Sequence, residues 1–260
     1  MRTLTIIAGL AAVLLVSAAF VNKRNERAMK NLKTAGNDNG FAVVELFTSE
    51  GCSSCPPADR FFETLQRDNA NKQLFLLAFH VDYWDHQGWK DRFSDAAYSN
   101  RQAQYAQWMN LRTIYTPQVV VNGASEHVGS NTGAILQAIT AGLEEQASGT
   151  LTLHAQQEGN KLAVTYQQSG NAADAELVLA LVQRATQSNV KAGENAGRKL
   201  THVQVVRRMV HFPLSAAKKN SHIQLPDDFS DNGWELIGFV QDNASGHITA
   251  AARTGFQSAD

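Results

Sequence analysis

The chain has 260 residues and a mass of 28.4 kDa, long enough for one large domain or two modest ones with buried cores. Hydrophobic residues make up 43% and charged residues 18%, which excludes a disordered chain and a coiled coil. Lys and Arg number 23 against 24 Asp and Glu, so there is no overall basic field for nucleic acid. We therefore expect a globular protein that does not bind nucleic acid.

The N-terminal segment, residues 1–22, is predicted to direct the chain to a membrane. Residues 3–21 carry no charge and form a mostly apolar run behind Arg2. Small residues at 17–19 offer a signal-peptidase site, and cleavage there would release an exported protein, periplasmic or secreted. The run is also just long enough to span a bilayer uncut, which would tether the protein. Both forms stay open, and we expect export.

Residues 23–40 are polar and end in asparagine and glycine, which predicts a flexible linker. Strands and helices then alternate. The pattern predicts strands at 41–47, 74–81 and 118–121, and helices after Pro56-Pro57, over 91–109 and from residue 131 or 132. Asn122-Gly123 predicts a hairpin into a short return strand. This β-α-β-α-β-β-α order defines a first domain over residues 41–149.

Beyond residue 149 the pattern changes to short runs separated by turn residues. The runs lie at 150–155, 161–167, 176–184, 201–211, 221–225, 234–241 and 247–252. This is the spacing of strands, and no convincing helix interrupts them. We therefore expect a smaller, mostly antiparallel β-sandwich domain over residues 150–255, packed beside the first domain.

The chain has two cysteines, so any intramolecular disulfide joins Cys52 to Cys55. Closing so short a loop removes little entropy from the unfolded chain, about 2 kcal/mol, against about 4 kcal/mol for a loop of roughly sixty residues. A structural staple is a poor use of such a pair. The spacing at a strand-to-helix junction instead predicts a redox-active Cys-x-x-Cys, the alternative being two cysteines buried as small hydrophobic side chains.

The position at the start of a helix suggests a role for each sulfur. Cys52 would lie near unpaired N–H groups and the positive end of the helix dipole, which favour a thiolate. We expect Cys52 to be an accessible nucleophile and Cys55, one turn along, to be the resolving thiol. Ser53 and Ser54 are expected to donate hydrogen bonds to the Cys52 sulfur and so to stabilise the reduced form.

Four motifs together resemble a bacterial family catalogued as domain of unknown function 1223. They are ELFTSEGCSSCPPAD at 45–59, AFHVDYWDHQGWKDRF at 78–93, IYTPQVVVNG at 114–123 and GENAGRKL at 193–200. The resemblance extends over about residues 41–252. It identifies no substrate, and we expect no cofactor.

The order of elements, the Cys-x-x-Cys and the Thr-Pro pair before a strand also resemble the thioredoxin fold. This resemblance implies an α/β thioredoxin-like first domain, residues 41–149. It further implies a cis bond between Thr116 and Pro117. Such a bond would expose the backbone before the proline, so that an extended partner pairs with it beside the sulfurs.

The segment from His80 to Trp89 is longer than a minimal thioredoxin fold needs, and we expect it at the rim of the same face. One interpretation is structural: His80 and Asp82 fix the loop by hydrogen bonds, and the tryptophans pack. A second interpretation makes the segment a wall of a substrate site, with Trp84 contacting the partner.

A third interpretation of the same segment involves a metal ion. His80 with Cys52 and Cys55 would offer two sulfurs and one nitrogen, a ligand set that suits copper or zinc. The alternative function is therefore a thioredoxin-like protein that binds or delivers a metal.

Glu45 is a charged residue inside an otherwise apolar strand. If buried, its pKa would rise, and it would then be able to shuttle a proton for Cys55. We favour the alternative, in which Glu45 faces solvent or bonds to Thr48 or Ser49.

Two features of the second half carry weaker signals. The loop at 193–198 either reaches the cysteines or is a plain turn with two glycines, and the plain turn is favoured. The remaining histidines, His202 among them, lie apart without ligand spacing and receive no role.

The leading interpretation is an exported or membrane-anchored thiol-disulfide oxidoreductase that acts on protein thiols or disulfides, a membrane redox partner included. The direction of electron flow is not encoded in any motif. Besides the metal protein, a further alternative is a non-catalytic exported scaffold whose disulfide stays closed.

Overall fold

The computed structural model describes residues 23, 25–36, 39–170, 173–214 and 220–258. The first half contains α1 (25–34), β1 (Ala42–Thr48), α2 (Pro56–Asp68), β2 (Leu74–His80), a 3-10 turn (Asp82–Trp84), α3 (Ala96–Trp108), β3 (Gln118–Val121), β4 (Ser125–Val128) and α4 (Thr132–Glu144). The predicted β-α-β-α-β-β-α order is confirmed, and Asn122 and Gly123 turn the β3–β4 hairpin with positive φ.

Each run predicted beyond residue 149 is a strand. These strands are β5 (Thr150–Glu158), β6 (Lys161–Ser169), β7 (Ala175–Asn189), β8 (Lys199–Pro213), β9 (Asn220–Gln224), β10 (Trp234–Asp242), β11 (Ile248–Thr254) and β12 (Phe256–Ser258). The predicted signal or anchor at 1–22 lies outside the described residues. Among the helices of the described ranges, none is long and apolar enough to cross a membrane.

The strands form one large sheet and one small sheet. The large sheet has eight strands in the order β11-β10-β7-β8-β2-β1-β3-β4, and the small one has the order β12-β5-β6-β9. Strands β1 and β2 are parallel, β3 is antiparallel to β1, and β8 joins β2 where Ala78 faces Val205. The prediction of a separate sandwich domain is therefore wrong in its boundary, because β7, β8, β10 and β11 extend the first sheet.

Both faces of β1 are buried, which explains its nearly continuous apolar sequence. Val44 and Leu46 pack into the cluster that also contains α2 and α4 residues, whereas Val43 and Phe47 belong to the cluster on the α3 face. A third cluster lies between the large and small sheets. The β1–α2 turn therefore sits on a strand that is fixed from both sides.

The predicted flexible linker at 23–40 is wrong over 25–34, which is the helix α1. Leu32 is fully buried in the α2–α4 cluster, and Ala28 and Met29 pack against it. These few apolar positions repeat at helical spacing among charged residues, so the helix has only a narrow apolar stripe. The polar composition of the segment therefore gave no indication of a helix.

Candidate functional site

Cys52 and Cys55 form a disulfide in the turn between β1 and α2. The helix begins at Pro56, with Cys55 as its N-cap residue. Pro56 and Pro57 suit this start because a proline has φ fixed near the helical value and lacks the N–H that a first turn leaves unpaired. The predicted pairing at the strand–helix junction is thus confirmed.

The expectation of an accessible Cys52 is wrong for this oxidised structure, since both cysteines are 0% exposed. Within the described ranges, none of the clusters of buried apolar side chains includes either cysteine. Ser54 Oγ lies 3.3 Å from Cys52 Sγ, as expected, while the side chains of Ser53 and Ser54 reach the surface.

The loop at 193–198, between β7 and β8, covers this turn. The buried Asn195 donates from Nδ2 to the carbonyl oxygens of Glu50 and Cys52, both at 2.9 Å. Glu194 Oε2 accepts from the Ser53 backbone N–H at 3.0 Å. The favoured prediction of a plain turn is therefore wrong, and the Ser53 N–H serves Glu194 rather than the Cys52 sulfur.

Contacts within the loop fix this arrangement. Arg198 Nη1 donates to Asn195 Oδ1 at 3.0 Å, which orients the Asn195 amide. Gly193 and Gly197 have φ of 76° and 79°, values that favour glycine. Hydrogen bonds from the Ser53 side chain and backbone lower the pKa of Glu194. The two glycines bracketing polar residues between strands were the available sequence signal for an ordered loop.

The Thr116–Pro117 peptide bond is cis, as the thioredoxin resemblance implied. Trp84 Nε1 donates to Thr116 Oγ1 at 2.8 Å. A Cβ built on Gly51 would lie 3.0 Å from Trp84 Cβ, which places Trp84 directly against the cysteine turn. The three residues predicted to contact substrate therefore lie together, with the indole linking the proline loop to that turn.

The proline loop also approaches the first turn of α2. A Cβ built on Gly129 would meet Pro117 Cβ at 2.7 Å and Ala58 Cβ at 3.1 Å. The Gly129 N–H donates to the Pro117 carbonyl at 2.8 Å. Glycine is needed at position 129 because any side chain would separate Pro117 from α2.

His80 and Asp82 both make hydrogen bonds of the kind that the structural interpretation expects, although the buried His80 Nε2 has no hydrogen-bond partner among the described residues. His80 Nδ1 lies 2.6 Å from Asp91 Oδ2, and both side chains are fully buried. Asp82 accepts from Ser99 Oγ at 2.5 Å, and its N–H donates back to that oxygen at 3.1 Å. In the part of the chain that the structure describes, no group of three or more His, Cys, Asp or Glu side chains is arranged to hold a metal ion.

His202, which received no role from the sequence, belongs to a buried charge cluster beneath the cysteine turn. Its Nε2 lies 3.4 Å from Glu50 Oε1 and its Nδ1 lies 4.0 Å from Asp59 Oδ2. The His202 and His80 rings are 4.8 Å apart. We call Glu50, Asp59, His80, Asp91 and His202 the buried charge cluster. The sequence around His202 in β8 does not indicate these partners, because they come from distant segments of the chain.

Burial and pairing shift the pKa values in this cluster in different directions. Burial raises the pKa of Asp59. Burial lowers the pKa of His80, but the Asp91 charge and hydrogen bond outweigh it, so the net pKa is raised. Burial raises the pKa of Asp91, and His80 together with backbone N–H groups lowers it below its usual value. The two shifts have opposite directions, and both favour a proton on His80 and a charge on Asp91.

Glu45 follows neither of the predicted alternatives. Arg101 donates to it from Nε at 2.5 Å and from Nη2 at 2.9 Å, and Tyr105 adds its hydroxyl. Gln241 accepts from the same guanidinium. Burial lowers the pKa of Arg101, but Glu45 raises it more. The carboxylate is thus part of a buried ion pair on the α3 side of β1.

Together these features define a mixed α/β protein that carries a covered Cys-x-x-Cys disulfide at a strand-to-helix junction. A family model described as "Protein of unknown function (DUF1223)" matches residues 43–241, and the chain belongs to this family. No curated protein matches it.

Two of the solved structures that resemble this chain match most of its length. Protein AGR_C_4864 from Agrobacterium tumefaciens is 25% identical with a TM-score of 0.63, covering 84% of this chain and 95% of its own. HBP35 of Porphyromonas gingivalis is 16% identical with a TM-score of 0.59, covering 85% of this chain and 76% of its own. The second likeness concerns the fold alone.

Proposed function

We propose that this protein is a thiol-disulfide oxidoreductase whose Cys52–Cys55 pair exchanges with protein thiols or disulfides. The observation that carries the proposal is the position of the disulfide at the start of α2, beside the cis Pro117 loop and Trp84. As a staple the bond would contribute only about 2 kcal/mol, which makes a structural role a weak explanation for it.

We further propose that residues 42–144 are a thioredoxin-like unit. The strand order β2-β1-β3-β4, with β1 parallel to β2 and antiparallel to β3, supports this assignment. Apolar clusters that place α2 and α4 on one face and α3 on the other support it as well. In such a unit, the two cysteines and the proline loop act together on one substrate.

The proposed exchange starts from the disulfide. A partner thiolate attacks Cys52 Sγ, the Cys52–Cys55 bond breaks, and Cys55 leaves as a thiolate that takes up a proton. A second partner thiolate then attacks the partner sulfur of the mixed disulfide and releases Cys52. The partner has lost two electrons and gained a disulfide, and the cysteine pair has gained the electrons. The reverse sequence reduces a partner disulfide.

Thr116, Pro117 and Trp84 would position the partner. A polypeptide in extended form pairs with backbone groups before the cis proline, and the indole of Trp84 forms the neighbouring wall. The Trp84–Thr116 hydrogen bond holds the two parts of this surface together. The substrate class is therefore a flexible or unfolded segment that contains cysteine.

We also propose that the protein acts outside the cytoplasm, released or tethered by an uncut N-terminal segment. The uncharged run at 3–21 supports this location, as does a closed disulfide, since disulfides persist in oxidising compartments. A membrane redox partner would return the cysteine pair to its starting state after each exchange.

The test is the reduction of insulin disulfides by dithiothreitol, and turbidity of the solution reports the progress of the reaction. The wild-type protein should accelerate the reaction above dithiothreitol alone, and Cys52→Ser should abolish the acceleration. Cys55→Ser should accumulate a mixed disulfide between Cys52 and insulin, detected by mass. If the wild type gives no acceleration and Cys55→Ser gives no adduct, the proposal is wrong and the scaffold alternative stands.

A further inference from the structure

We propose that the 193–198 loop is a cover for Cys52 that responds to the redox state of the cysteines. In the disulfide form, Glu194 accepts a hydrogen bond from the Ser53 backbone N–H. The Cys52 thiolate needs this same donor once the disulfide is reduced. This inference rests on the proposed function only in assuming that the pair cycles between both states. The loop would regulate access to the cysteine pair, with Glu194 and Asn195 acting as positioning residues.

The first support is the way the cover is attached. Both cysteines are fully buried although they lie in a surface turn whose serines are exposed. Asn195 is itself fully buried and bridges the carbonyl oxygens of Glu50 and Cys52. Cys52 Sγ belongs to a fully buried residue, and Asn195 ties the loop to the backbone of that same residue, so we expect exchange to require the loop to move.

The second support is that several backbone donors at this turn are missing or already bonded. Pro56 and Pro57 have no N–H, so the usual donors of the first helical turn are missing. The Cys55 N–H already bonds to the Cys52 carbonyl at 3.2 Å. The Ser53 N–H is therefore a valuable donor for a thiolate at Cys52, and Glu194 holds it.

The third support is electrostatic. A carboxylate bonded to the residue after Cys52 opposes negative charge on the Cys52 sulfur, so we expect Glu194 to disfavour the thiolate in the reduced protein. The coupling is reciprocal, because a thiolate at Cys52 weakens the Glu194 bond by the same factor. Reduction should thus loosen the cover, and Gly193 and Gly197 flank it at positions where the backbone is least restricted.

The other carboxylates near this turn each have a partner of their own. Glu50 is bonded by Trp89 and lies beside His202 on the inner side. Asp91 accepts the Glu50 N–H and pairs with His80, and Asp59 accepts from Thr48. On the cover, Arg198 bonds to Asn195. Glu194 is the carboxylate that accepts from the Ser53 backbone N–H, and it is therefore the residue to change.

Asn195→Ala tests access without changing charge. Dithiothreitol reduces the disulfide by donating two electrons and two protons, and it closes to its own cyclic disulfide. We expect the rate of this reduction to rise at least about tenfold, because two bonds that hold the cover are lost. Asn189→Ala, the same substitution at an exposed site on β7, should keep the wild-type rate. An unchanged rate in a folded Asn195→Ala protein overturns the cover.

Glu194→Gln tests the competition for the donor. The pKa of Cys52 is measured from the pH dependence of iodoacetamide alkylation in the reduced protein. We expect it to fall by about one unit, a tenfold rise in the acid dissociation constant. Glu63→Gln, an exposed glutamate on α2, is the matched control and should leave the pKa unchanged. An equal pKa in Glu194→Gln and the wild type overturns the competition.

A measurement on the wild type remains informative if a variant fails to fold. Backbone hydrogen exchange of Ser53 and of residues 193–198 should be faster in the reduced protein at pH 8 than in the oxidised protein. Equal exchange in both states refutes a redox response. All three readouts use small reagents, so they stay interpretable even if insulin is not a substrate and the proposed function fails.

Discussion

Replacing Arg101 by leucine tests whether Glu45 stabilises the fold or carries protons for the cysteines. Both side chains are at most 1% exposed, and two N–H groups of the guanidinium bond to the carboxylate. Without Arg101 the carboxylate keeps only neutral partners, of which the Tyr105 hydroxyl is one. Breaking a buried pair by removing one partner costs about 3–5 kcal/mol, and we expect a loss in this range for Arg101→Leu.

The double variant Glu45→Leu/Arg101→Leu separates the two causes of that loss. It leaves no buried charge, and replacing a whole buried pair by apolar residues is often close to neutral. We expect it to recover most of the stability, with the coupling obtained from urea unfolding of both single variants and the double variant at pH 7.

The same proteins show whether Glu45 serves the cysteines. If it does not, the folded double variant should be reduced by dithiothreitol with the wild-type rate and pH profile. A loss below about 1 kcal/mol for Arg101→Leu would contradict the buried-pair argument. A pH profile that moves in the folded double variant would restore the proton-shuttle role that the structure does not support.

Three further predictions concern stability. Reduction of the Cys52–Cys55 bond should lower the free energy of unfolding by only about 2 kcal/mol, measured by urea unfolding with and without dithiothreitol, and a much larger loss would indicate a staple. Leu32→Ala should cost about 2–5 kcal/mol if α1 packs as part of the core, and a cost near zero in thermal unfolding would show that it does not. The pKa of His80 is raised above 6.5 in the folded state, so its contribution is complete below that pH and is lost as the pH rises through the folded-state pKa. Stability should therefore decline above pH 6.5, and His80→Gln should flatten this part of the curve.

Local patterns in the sequence were sufficient to predict the cysteine site and most of the strands and helices, although they missed α1 and β12. The alternation of apolar strands and amphipathic helices predicted the order of the first half, and the runs beyond residue 149 predicted its strands. The disulfide followed because Cys52 has a single possible partner. These features depend on neighbours in the sequence, which is why they were predictable.

The contacts that complete the site come from residues far apart in the chain. Asn195 and Glu194 reach the cysteine turn from the β7–β8 loop, and His202 reaches Glu50 from β8. Periodicity shows that a side chain points inward but not which buried group it meets. The bonds from Asn195 to the carbonyl oxygens of Glu50 and Cys52 could not be predicted for the same reason, since the loop lies in the second half.

The merging of the two halves into one sheet was hidden for a related reason. The sequence of β2 predicts burial on both faces, but nothing in it shows whether its outer edge is free or paired. The edge is paired with β8 through Ala78 and Val205, and β8 also contacts α2. A boundary placed at residue 149 therefore cuts through a hydrogen-bonded sheet rather than between two domains.

The pairing of β2 with β8 has a practical consequence for fragments of the protein. A chain ending near residue 149 would retain β1 and β2 but lose β8, which would uncover the edge of β2. It would also expose Phe75 and Phe79, whose cluster includes side chains of β7, β8 and β10. An uncovered apolar strand edge recruits other chains, so such a fragment should aggregate even though Cys52, Cys55, Trp84 and the Thr116–Pro117 pair are all present in it.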